Sequence, residues 1–69
     1  MNDFEEDNGL PLGLSMLLAQ DIDAMSFFAT LQKSEQERLT HYIKAAQTGD
    51  EAKKRIDEVV GLCHNKQTF

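Results

Sequence analysis

The chain is short of most devices that small proteins use to hold themselves together. It has one cysteine, one proline and no tryptophan. A lone Cys63 excludes an intrachain disulfide. One cysteine with two histidines falls short of the four ligands that a structural zinc site takes at recognisable spacings. Both staples of small domains are therefore missing, and packed apolar side chains must supply the stability. A positively charged leader is also missing, because the first seven residues hold Asp3, Glu5, Glu6 and Asp7 and no Lys or Arg. The longest apolar-rich stretch, Leu10 to Ala19, is half of the roughly 20 residues that span a bilayer. These absences predict a cytoplasmic protein with no membrane span.

Positive charge is scarce too. Seven Lys and Arg face twelve Asp and Glu, for a net charge of −5. Four of the acids lie in the first seven residues, so the body from Asn8 onward is close to neutral. Nucleic-acid binders carry the reverse, a basic surface that neutralises phosphates. No glycine-rich phosphate loop exists either, since Gly9 and Gly13 flank Leu10-Pro11-Leu12 in neither nucleotide-binding pattern.

What is present suits one small soluble domain. Of 69 residues, 41% are hydrophobic and 28% charged, which is ordinary globular composition. A chain this short buries only about 60% of its unfolded surface, so its stability is marginal. Residues 1–9 read as an acidic flexible tail, 10–64 as a single helical domain, and 65–69 as a fraying C-terminus.

Helical spacing recurs along the body. Leu10, Leu12, Leu14 and Met16 alternate as in a strand, yet Leu10, Leu14, Leu17 and Leu18 also share one helix face. A helix is favoured, because Met16 to Ala19 are helix formers and no partner strand is evident. Pro11 fits the first helical position, and Gly13 is a weak point within the helix. Asp21 or Asp23 can cap a second helix whose Ala24, Phe27, Phe28 and Leu31 line one face. Ser34 to Glu37 and Thr48 to Glu51 both have the S/T-x-x-E form of a capping box. They predict a third helix over about 35–47, with Leu39, Tyr42, Ile43 and Ala46 in one stripe. The fourth, over about 50–63, carries Ala52, Ile56, Val59, Val60 and Cys63. Gly49 lies where the chain would reverse between them, a place for positive φ. The predicted fold is an all-α bundle of about four short helices, the last two an antiparallel hairpin. Its predicted core is Phe28, Leu31, Leu39, Tyr42, Ile43, Ile56 and Val60.

Residues able to carry chemistry are few. Cys63 and His64 are neighbours, and neighbours on a helix diverge by about 100° and cannot pair as nucleophile and base. Cys63 reads as a small apolar residue closing a buried stripe. His64 suits the negative end of a helix dipole. The acid pairs Asp21/Asp23 and Asp57/Glu58 read as capping or solvated groups, because short helices leave little room for a cleft that would shift their pKa values. Lys53, Lys54 and Arg55 are the sole basic cluster, with Asp50, Glu51, Asp57 and Glu58 around them. Glu51 with Arg55 and Lys54 with Glu58 have ion-pair spacing. Arg55 can also lay its stem beside a Phe or Tyr.

The spacing of the apolar positions resembles a known family. Phe28-Ala29-Thr30-Leu31 has F-x-x-L form. Eleven residues beyond Leu31 come Tyr42-Ile43, then Ala46, and ten residues beyond Ala46 the Arg55-Ile56 pair ends, followed by Val60. This run, over about 28–62, resembles the C-terminal helical region of the bacterial YdeI/OmpD-associated family. Two features depart from it: the family's larger N-terminal domain has no counterpart here, and Asp50-Glu51-Ala52 stands where the family has E-T-R. Residues 10–20 also resemble the start of short uncharacterised proteins of low-GC Gram-positive bacteria. The resemblance implies a bacterial helical domain of unknown function and carries no catalytic residue onto this chain.

The functional expectation is a non-catalytic protein–protein interaction module with no cofactor, no metal and no small-molecule substrate. Its apolar surplus lies in Leu10 to Ala19, where Leu12 and Met16 form a second stripe beside Leu10, Leu14, Leu17 and Leu18. Leu12 and Met16 are the candidate interaction surface, facing a second copy in a homodimer or an unidentified protein partner. A central buried helix is the other reading of that segment. The competing function is a helix-turn-helix-like nucleic-acid regulator using Lys53, Lys54 and Arg55.

Overall fold

The computed structural model describes residues 10–69, so the acidic stretch 1–9 lies outside the described residues. The fold is all-α. Helix α1 spans Leu12–Ala19, α2 Ile22–Thr30, α3 Lys33–Lys44 and α4 Gly49–His64. No strand occurs among the described residues.

Helix α1 resolves the ambiguous segment in favour of 3.6-residue spacing. Leu14 and Leu18 are buried, and Leu10 packs at the edge of the core. Pro11 stands one position earlier than expected. It is the N-cap, with extended backbone, and its carbonyl accepts the Ser15 N–H at 3.1 Å. The ring thus occupies a place that needs neither a helical dihedral nor an N–H. Gly13 is more than a weak point. A Cβ built there would stand 2.9 Å from Ile56 Cδ1, so α1 passes close to α4 here and a side chain would require the end of Ile56 to shift.

Only Gln20 and Asp21 separate α1 from α2, and the two helices are bent 118° at this break. Asp21 makes the turn by capping α2, its Oδ1 accepting the Ala24 N–H at 3.0 Å. That bond satisfies an amide with no partner inside the helix. Ala24 and Phe28 then point inward.

The third helix starts and ends earlier than its sequence pattern predicts. Gln32 is its N-cap, and Ser34 lies inside the first turn. The Glu35 carboxylate, not that of Glu37, reaches back to the Gln32 N–H at 3.3 Å. A contact between helices fixes this choice, because Gln36 Nε2 donates to the Phe28 carbonyl at 2.8 Å. Helix α4 starts as its box predicts, with Thr48 Oγ1 accepting the Glu51 N–H at 3.1 Å. Glu51 reaches past the cap to the Gln47 N–H at 3.3 Å. Gly49 is the first residue of α4 and makes no positive-φ turn.

Helix α4 packs against each of the other three, most extensively against α2. Tyr42 meets both Arg55 and Glu58, and Arg38 meets the Phe69 carbonyl, so α3 and α4 run antiparallel. The core consists of Leu14, Leu18, Ala24, Phe28, Leu39, Ile43, Val59 and Cys63. Of the seven predicted core residues, Phe28, Leu39 and Ile43 are buried. Leu31, Tyr42, Ile56 and Val60 are half-buried and pack against that cluster. The inward line of α4 runs through Val59 and Cys63, so Ile56 and Val60 flank it.

Beyond α4, residues 65–67 close the helix with a defined C-terminal motif. The Lys66 N–H donates to the Cys63 carbonyl at 2.9 Å, and the Gln67 N–H to the Leu62 carbonyl at 2.8 Å. These are the paired bonds of a Schellman motif, which needs a left-handed residue between them. Lys66 fills that position with φ 60. A side chain there carries backbone strain that glycine lacks. Lys66→Gly is therefore expected to stabilise the domain by about 0.5–1 kcal/mol, after the added freedom of the unfolded chain is offset. A urea titration checks this, and a destabilised variant would show that the lysine stem contributes more than the strain costs.

Candidate functional site

Three surface regions hold the side chains with functional potential. The first is the outer surface of α1 and α2. Leu12 and Met16, one turn apart on α1, are 52% and 53% exposed. Ile22 and Met25 on α2 are 76% and 44% exposed. The sequence reading singled out Leu12 and Met16. It did not single out Ile22, and it read Met25, beside Phe27 and Phe28, as core; Met25 instead falls off the Ala24–Phe28 stripe and stands exposed. No helix among the described residues is long and apolar enough to cross a membrane.

The second region is the basic cluster on α4, and its three members part company. Lys53 and Lys54 are exposed. Arg55 is engaged within the fold: Nη1 donates to the Tyr42 carbonyl at 2.8 Å and Nη2 to Glu51 Oε2 at 2.6 Å. Its guanidinium carbon lies 4.6 Å from the centroid of the Tyr42 ring, the aromatic neighbour that its sequence position allowed. The Tyr42 carbonyl belongs to the last turn of α3, where carbonyls lack helical partners. Arg55 thus ties the end of α3 to α4. Glu58 does not pair with Lys54 as its spacing predicted. It accepts the Tyr42 hydroxyl at 2.6 Å, and this bond beside a carboxylate raises the Tyr42 pKa. On the far side of Tyr42, Phe69 packs edge-on at 5.0 Å and closes an open apolar hollow with Arg38, His41 and Ala45.

The third region joins the end of α4 to the start of α2. His64 Nδ1 lies 3.0 and 3.1 Å from the two Asp21 carboxylate oxygens, across 43 residues of chain. Asp23 brings a third potential metal donor, all three within 4.8 Å of one another. The Asp21 carboxylate is already shared between the Ala24 amide and the His64 ring, which accounts for it as a cap and an ion pair. Cys63, next in sequence, points the other way. It is fully buried, and burial raises its thiol pKa. Cys63 and His64 therefore do not converge.

The Asp21–His64 pair gives stability a defined pH dependence. The Ala24 amide and the His64 ring hold the Asp21 carboxyl below its ordinary value of 3.8. The hydrogen bond and charge of Asp21 raise His64 above its ordinary 6.5. A lowered acid stabilises the fold above its unfolded pKa and loses that contribution as pH falls through its folded value. A raised histidine stabilises below its unfolded pKa and loses its share as pH rises through its folded value. The pair thus contributes most between the two ordinary values and fades on either side. His64→Asn is expected to remove the alkaline decline, read as thermal midpoint against pH. An unchanged profile in that variant would show that the pair is too solvated to matter.

Three short helices wrapped around α4 define a small all-α domain that exposes apolar side chains on its first two helices. The sequence model of the bacteriocin-protection, YdeI or OmpD-associated family matches residues 9–66. The chain belongs to that family. The match reaches beyond the 28–62 run that carried the sequence resemblance and takes in α1 and the start of α2. No curated protein and no solved structure matches the chain.

Proposed function

We propose that this domain is a non-catalytic protein–protein interaction module of the cytoplasm, working without cofactor or small-molecule substrate and docking its partner on the outer surface of α1 and α2. The observation that carries this reading is the exposure of Leu12, Met16, Ile22 and Met25 on two consecutive helices. Apolar surface of this kind on a small soluble domain marks an interaction site. The family's description, which speaks of protection and association, is in keeping with a binding role. The engagement of Arg55 with Tyr42 and Glu51 weighs against the nucleic-acid reading, because it leaves Lys53 and Lys54 as the exposed members of the cluster.

The test is co-purification from the native host with wild type and with Leu12→Asp and Met16→Asp. Both side chains are exposed, so each variant is expected to fold. The wild type should retain a protein partner, or a second copy, that both variants lose. Identical retention by all three forms would overturn the proposal.

A further inference from the structure

Counted by cysteine and histidine alone, the chain falls short of a metal site. The fold brings the missing donors as carboxylates. Asp21 caps α2, Asp23 lies in its first turn, and His64 is the last residue of α4. One donor atom from each lies within 4.8 Å of the other two. Asp21 already serves twice within the fold. Its Oδ1 accepts the Ala24 N–H at 3.0 Å, and its two oxygens face His64 Nδ1 at 3.1 and 3.0 Å. Asp23 takes part in neither contact. Its exposed carboxylate nevertheless stands within reach of both partners.

We propose that Asp21, Asp23 and His64 form a binding site for a divalent transition-metal ion of the zinc type, which fastens the end of α4 to the start of α2. The distances suit such an ion. Zinc holds imidazole nitrogen and carboxylate oxygen at about 2.1 Å, so two of its ligands stand about 3.0 Å apart at a right angle and about 3.4 Å apart at the tetrahedral angle. His64 Nδ1 and Asp21 Oδ2 are 3.0 Å apart. An ion bound there takes the place of the proton between them, which is released to solvent, and His64 then binds as the neutral ring. From a spacing within 4.8 Å, Asp23 completes the set by a shift of no more than about 1.5 Å, which rotation of an exposed side chain supplies.

The donor chemistry selects the metal. One imidazole beside two carboxylates suits zinc and its transition-metal neighbours, whereas magnesium and calcium take oxygen ligands. Two carboxylates balance a divalent charge, and no Lys or Arg lies on α1 or α2 to compete for them. The C-terminal end of α4 adds the negative end of its dipole. A fourth position stays open to water, as in zinc sites with three protein ligands. The docking reading above rests on other side chains and does not depend on this site.

The test titrates zinc chloride into the full chain, carrying no affinity tag, by calorimetry. Wild type is compared with Asp23→Asn and His64→Asn, and Asp21 is left in place because it also caps α2. Both varied side chains are exposed, so each variant is expected to keep wild-type helicity, read by circular dichroism. The expected result is one zinc ion per chain at micromolar affinity, weakened at least ten-fold by either substitution and unaffected by millimolar magnesium. Asp23→Asn is the decisive variant, because it leaves the cap and the ion pair intact. Cobalt(II) in place of zinc should give no thiolate charge-transfer absorption, since Cys63 is fully buried. No saturable zinc binding, binding that either variant retains at wild-type strength, displacement by magnesium, or a thiolate band with cobalt would overturn the proposal.

Discussion

Phe28→Ala is expected to lose about 3–5 kcal/mol of folding free energy. Phe28 is 6% exposed and lies in the contact between α2 and α4, the most extensive in the fold. Its ring belongs to the one core cluster that joins all four helices. The surrounding helices are short but tied at their ends by Asp21, Gln36 and Thr48, so they cannot collapse fully onto the vacated space. A domain of 69 residues has a total stability of about 3–10 kcal/mol, and the variant therefore sits at the edge of unfolding. Ile22→Ala, three-quarters exposed on the same helix, is expected to change stability by no more than about 0.5 kcal/mol. Urea titration of the two variants reads the difference. A loss below about 1 kcal/mol for Phe28→Ala would contradict the packing of α2 on α4.

The second large effect is expected at Arg55. Arg55→Ala should cost about 2 kcal/mol, from two charge-assisted hydrogen bonds and the contact over Tyr42, discounted for partial exposure. Arg55→Lys should recover less than half. An ammonium cannot span the Tyr42 carbonyl and the Glu51 carboxylate as the guanidinium fork does, nor stack on the ring. The loss should come with fraying of the end of α3, because its Tyr42 carbonyl gives up a donor. Thermal melts of the two variants, with amide exchange at Ala45 and Ala46, measure both effects. A lysine variant as stable as wild type would show that Arg55 acts as a plain surface charge.

Much of this architecture is local and so was legible in the residues. The Leu14/Leu18 spacing, the Asp21 cap and the Thr48 box each involve groups three or four positions apart, within reach of a sequence pattern. The misplaced features depend on contacts across the chain. Ser34 has the right neighbours for a cap, but Gln36 bonded to the Phe28 carbonyl sets the start of α3 two residues earlier. Glu58 has the spacing to meet Lys54, yet the arrival of α3 offers it the Tyr42 hydroxyl. The C-terminus read as fraying because chain ends usually do, and nothing in the local pattern marks the turn that the Lys66 and Gln67 amides close on α4. The Asp21–His64 pair spans 43 residues, and no pattern of local spacing reveals it. The candidate surface was half legible. Leu12 and Met16 stood out as a surplus stripe on a short helix. Ile22 was not singled out, and Met25 read as one more core side chain beside the aromatic stripe of α2.

The account turns on α1 serving two purposes, with Leu14 and Leu18 holding the fold and Leu12 and Met16 left for a partner. Sedimentation of the labelled chain in native host extract, beside the folded Leu12→Asp/Met16→Asp double variant, tests this most directly. The account predicts that the wild type sediments as a complex heavier than its own 7.8 kDa, and that the double variant, equally helical, sediments as the free chain. Wild type and variant sedimenting alike, or a variant that has lost its helices, would contradict it.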